Sequence, residues 1–78
     1  MTATIATARM LPNRNYGFDY KLNLEFEKGN IWYVELLEKD RGDGWRSVKI
    51  WDADDLKDAL RKFSKIVVQD REGEPFWR

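Results

Sequence analysis

The chain contains no cysteine and no histidine. The first absence excludes disulfides and a thiol nucleophile, and the second removes the imidazole on which most catalytic triads and proton relays depend. Together they also remove the usual zinc ligands. No catalytic residue, metal or cofactor is therefore expected. Carboxylates such as Glu25 and Glu27, two apart on one strand, read more simply as alternating surface charge than as an acid and base pair.

Charge of one sign is lacking too. Lys and Arg number 14 and Asp and Glu number 14, a formal net charge of zero, so no global field draws the chain onto nucleic acid or an anionic membrane. Any such binding must come from a local patch. No run approaches the ~18 apolar residues of a membrane span, and "MTATIATARMLP" lacks the charged start and apolar stretch of a signal peptide. A cytoplasmic protein without a membrane partner is expected. The 5 glycines are scattered singly, which excludes a phosphate-cradling loop. "DRGDG" lacks the ligand spacing of a calcium loop and reads as a hairpin turn.

With 78 residues there is room for one small core, and domains of this size gain only ~3–5 kcal/mol from a core alone. Disulfides and zinc being excluded, a second subunit is the remaining support. A homodimer is expected.

What the chain does contain is alternation. In "YKLNLEFE" the apolar Leu22, Leu24 and Phe26 alternate with Lys21, Asn23, Glu25 and Glu27, which predicts a strand from Tyr20. Gly29 and Asn30 then suit a tight turn into a second strand, Ile31 to Glu38, and "DRGDG" leads to a third, Trp45 to Trp51. From Asp52 the period lengthens. Leu56, Ala59, Leu60, Phe63 and Val67 form one helical stripe, with Asp52 as the expected cap, acidic residues at the start and Arg61, Lys62 and Lys65 towards the end.

The predicted fold is α+β: a three- or four-stranded antiparallel β-meander with one C-terminal helix packed on one face. Residues 1–15 form an amino-terminal arm, flexible or an edge strand, residues 16–69 a β-β-β-α domain, and residues 70–78 a tail. The helix is expected to cover Leu22, Leu24, Phe26, Trp32, Val34, Leu36, Val48 and Ile50.

The opposite face is the informative one, because a half-buried strand needs large apolar side chains on one side only. Strict alternation places Tyr33, Trp45 and Trp51 there, with Lys21, Arg46 and Lys49 nearby and Glu25 and Glu35 interspersed. Bases stack on aromatic rings while Lys and Arg follow the phosphates, so these six aromatic and basic residues make a candidate platform for single-stranded DNA or RNA. Trp, Tyr and Arg are also the enriched contact residues of protein interfaces, and a protein partner fits the neutral charge equally. A third reading has the amino-terminal arm or "PFWR" folding over these rings as second-layer core.

The strand order, the helix after "SVKIWDADDL" and the pattern "FEKGNIWYVELLEKD" resemble the positive-cofactor-four transcriptional coactivators and their whirly-type relatives, over about residues 20 to 66. That resemblance implies a curved antiparallel sheet that binds single-stranded DNA and a helix that pairs in a dimer. It gives Arg46 and Lys49, in "WRSVKI", the role of backbone contacts. The chain departs from the family in lacking its glycine in that strand, in having Leu56 where an aromatic residue stands early in the helix, and in its neutral charge.

These readings converge on a non-enzymatic binding module for single-stranded nucleic acid. The alternative is a protein-interaction module, such as a small phage-type inhibitor or regulator of the anti-CRISPR kind.

Overall fold

The alternation of β2, Asp19–Glu27, organises the molecule, because its even-numbered residues Tyr20, Leu22 and Leu24 are buried on one side. The computed structural model describes residues 2–10, 19–39 and 44–72. Within them, β1 (Thr2–Arg9), β2, β3 (Ile31–Lys39) and β4 (Arg46–Ala53) form one antiparallel sheet in the order β1-β2-β3-β4, followed by helix α1 (Leu56–Arg71). The amino-terminal segment is thus an edge strand of the sheet. The predicted α+β meander with a single packed helix is the fold observed.

Register follows from the buried face. Leu22 opposes Leu36, Leu24 opposes Val34 and Phe26 opposes Trp32, so six apolar residues of β2 and β3 meet in direct cross-strand pairs. A slip of one residue would turn all of them outward. The β2–β3 turn is made by Gly29 and Asn30, both at positive φ (94° and 59°), a conformation cheap for glycine and tolerated by asparagine.

Helix α1 lies across β2, β3 and β4. Leu22, Leu24, Val34 and Leu36 are fully buried, each worth about 1.5–3 kcal/mol relative to exposure. Met10, Tyr20 and Ile66 join the core, and Trp51, Phe63 and Val67 pack against it. On β1 the residues facing the helix side are Ala3, Ala6 and Ala8, opposite Phe26, Leu24 and Leu22. Such small side chains at the sheet edge ask for no helix above them.

Three expectations are corrected. Asp52 is not the helix cap, because β4 runs on through it, pairing Asp52 with Tyr33 and Ala53 with Trp32. The cap is Asp55, whose carboxylate accepts the Asp58 N–H at 2.8 Å, while the Asp58 carboxylate accepts the Asp54 N–H at 3.1 Å. Leu56 and Leu60 are exposed, and the buried stripe is instead Ala59, Ile66 and Asp70, with Phe63 and Val67 half-buried. Helix α1 ends at Arg71.

The third correction concerns β4. Leu36 opposes Lys49 but Leu37 opposes Ser47, so Val48 is an extra residue in a β-bulge. One extra residue inverts the alternation. Lys49 and Trp51 therefore sit on the helix side, Trp51 opposite buried Val34, and Ile50 opposes Glu35 on the open side with half its surface exposed (51%). Strict alternation predicts the reverse for all three. Val48, assigned to the core by the same alternation, is exposed. The "DRGDG" turn, apart from Gly44, and the "PFWR" terminus lie outside the described residues.

Candidate functional site

The open face has two unlike halves. Its centre and one end are an ordered hydrogen-bond lattice built from strand register. Thr2, Thr4 and Thr7 of β1 oppose Glu27, Glu25 and Asn23 of β2, and each hydroxyl donates across the pair at 2.9 Å. Asn23 Nδ2 donates to Glu25 Oε1 at 3.0 Å, and Tyr33 OH donates to Glu27 Oε1 at 3.1 Å. These bonds let a carboxylate, Glu25, sit only 4% exposed on a nominally open sheet face. Burial pushes the Tyr33 hydroxyl above its ordinary 10.0, with the Glu27 and Glu25 charges adding and a bond from Thr2 opposing. Tyr33 is therefore a fixed, protonated donor.

At the other end the chemistry changes sign. Arg9 closes β1, Lys21 opposes it near the start of β2, Lys39 closes β3, and Trp45 precedes β4, so antiparallel pairing brings all four to one end of the sheet. Lys21 Nζ lies 4.5 Å from the Trp45 ring centroid, Arg9 Cζ 5.3 Å and Lys39 Nζ 5.9 Å. Each contact is worth about 0.5–1 kcal/mol at an exposed site, which offsets part of the repulsion among three cations held at one ring. Among the described residues, Asp19, opposite Lys39, is the carboxylate that the register brings closest to them. An anion arriving here meets three donors and an aromatic surface together.

The six predicted residues are thus divided. Lys21 and Trp45 are together on the open face. Tyr33 is on that face but six residues back along β3 from Lys39, about 20 Å at strand rise, inside the hydrogen-bond lattice. Arg46, opposite Glu38 in the register, is bound to that carboxylate through Nε at 2.7 Å. Lys49 and Trp51 are on the helix side, Lys49 Nζ 5.2 Å from the Trp51 centroid. Arg9 and Lys39, which sequence reasoning missed, take their places. Their signal was positional: each ends a strand next to a predicted basic or aromatic residue once the register is known.

A separate concavity lies between β4 and α1. It has a volume of about 400 Å³ and is lined by Trp51, Arg61, Lys62, Lys65, Ile66 and Gln69. Among the described residues no cluster of three or more acidic side chains could hold a metal ion, and no helix is long and apolar enough to cross a membrane.

No family model matches the chain, and neither a curated protein nor a solved structure matches it significantly.

Proposed function

We propose that this chain is a non-enzymatic binding domain that takes single-stranded nucleic acid at the Trp45 end of its open sheet face. The observation that carries this reading is the convergence of Arg9, Lys21 and Lys39 on the Trp45 ring. A base stacking on an aromatic side chain gains about 1–3 kcal/mol, and cations at the same ring neutralise the adjoining phosphates. The resemblance to the positive-cofactor-four coactivators suggests the same ligand, but the two residues it assigns to backbone contact, Arg46 and Lys49, are not on the open face. The footprint is short, because the acidic lattice of Glu25 and Glu27 repels phosphates beyond the cationic end.

A homodimer accompanies this reading. Leu56, Leu60 and Val68 recur at multiples of four residues along α1 and are all exposed, an apolar stripe that a second helix would cover. Sedimentation of wild type and Leu60→Glu tests it: a dimer reduced to monomer by the substitution supports the stripe, and a wild-type monomer at all concentrations removes it.

A protein partner is the second reading, favoured by the exposure of Ile31, Val48 and Ile50 beside β3 and β4. Tryptophan fluorescence with a short single-stranded oligonucleotide separates the two. Saturable quenching that weakens with salt and vanishes in Trp45→Phe supports nucleic acid. No quenching at low salt refutes it and leaves the apolar fringe as the working surface.

A further inference from the structure

The concavity between β4 and α1 has a composition that core packing does not require. Its apolar lining comes from Trp51 and Ile66. Arg61, Lys62 and Lys65 line it too, and Lys49 approaches the same indole from β4. Two of these cations are already bound: Arg61 to Asp58 at 2.7 Å and Lys62 to Asp58 at 3.1 Å. Lys49 and Lys65 have no carboxylate partner among the described residues. Gln69 also lines the cleft, and its Oε1 atom is buried without a hydrogen-bond partner among the described residues. A buried acceptor left unpaired is destabilising, so a donor that reached it would be favourable.

These features specify a ligand in three parts. The indole and Ile66 call for a flat apolar body. Gln69 Oε1 calls for an N–H donor on that body, and Lys49 and Lys65 call for an anionic group within reach of it. A volume of about 400 Å³ lies within the ordinary range for small-molecule clefts. We infer that this cleft is a second binding site, on the side of the sheet away from Trp45, and that it takes a nucleoside phosphate: the base replaces the Lys49 ammonium over the Trp51 ring, with an amino or imino N–H towards Gln69, and the phosphate is held by Lys65 and the displaced Lys49. The same chemistry is carried by a free nucleotide and by the phosphorylated end of a strand.

Amide and indole resonances of the full chain, followed by NMR during titration, report the two sites separately. The probes are ADP, adenosine, inorganic phosphate, and a short oligonucleotide with a terminal phosphate. Saturable shifts at the Trp51 indole and along residues 61–69 with ADP, and about tenfold weaker response to adenosine or phosphate alone, are expected where both parts of the ligand are recognised. If only the phosphorylated oligonucleotide moves these resonances, the occupant is a strand end and the same site holds. Lys65→Glu, at an exposed helix position, should weaken either response by about tenfold while leaving the Trp45 resonances as in wild type. Gln69→Leu, which removes the acceptor, should weaken ADP more than phosphate. Absence of shifts at these residues at millimolar ADP and with the oligonucleotide, or an unchanged response in Lys65→Glu, overturns the inference. Shifts confined to Arg9, Lys21, Lys39 and Trp45 also overturn it, while supporting the open-face site.

Discussion

Trp45 and Trp51 lie six positions apart in one segment of chain and on opposite faces of one sheet. Val48, the extra residue of the β4 bulge, is the reason. In an unbroken strand an even separation keeps two side chains on the same face. The bulge turns Trp51 under the helix against Val34 and leaves Trp45 among the cations of the open end.

The face assignment predicts unequal stability effects within β4. Trp51→Ala, which removes a ring packed on the core, should cost about 2–4 kcal/mol in urea unfolding. Ile50→Ala, one residue earlier on the open side, should change stability by less than about 0.5–1 kcal/mol. Equal losses would mean that Ile50 is covered.

Nucleic-acid affinity should follow the cluster at Trp45 rather than the basic residues closest to it in sequence. Lys21→Ala is expected to weaken oligonucleotide binding and to reduce the slope of log affinity against log salt by about 0.7, the value for one phosphate contact on a single strand. With an oligonucleotide that carries no terminal phosphate, Lys49→Ala, on the helix side, should leave that slope unchanged. A slope altered by Lys49 and not by Lys21 would contradict the site.

Acid should weaken the start of α1. The Arg61 guanidinium, then the Asp54 N–H and Lys62, hold the Asp58 carboxyl at about 2, below its ordinary 3.8. Because the folded value is the lower one, the group contributes stability above its unfolded value and loses it as pH falls from 3.8 towards about 2. Asp58→Asn should flatten the stability curve over that interval. Parallel curves for the two proteins would show that the carboxylate contributes nothing there.

At the basic end the sign is opposite. The Tyr33 value is raised from 10.0, so its contribution is complete below that pH and declines as pH rises through the higher folded value. Ultraviolet titration should show a late-ionising tyrosine component, and Tyr33→Phe should reduce its amplitude. The same substitution deletes the bond to Glu27 and should cost about 1 kcal/mol at neutral pH.

Much of the fold was legible in the residues because its signals are local. The faultless alternation of β2, the Gly29–Asn30 turn and the helical period after Ala53 each need only a few neighbours to be read. Helix ends were less legible, since Asp52, Asp54 and Asp55 stand close together and which of them caps the helix depends on how far β4 pairs with β3. The site was legible only in part. Lys21 and Trp45 could be read as open-face residues, but Arg9 and Lys39 joined them through pairings between strands distant in sequence.

The sequence alone therefore determined β2, β3, β4 and the helix, their order and the chemistry available: a neutral chain without thiol or imidazole, carrying surplus aromatic and basic residues on its strands. The tertiary structure decided which of those residues meet. Periodicity assumes that every residue of a strand has a partner, whereas a bulge appears only when two strands are laid together and one side has a residue too many. Val48 is that residue, and its insertion separated the aromatic residues into an open-face cluster at Trp45 and a helix-side cleft at Trp51.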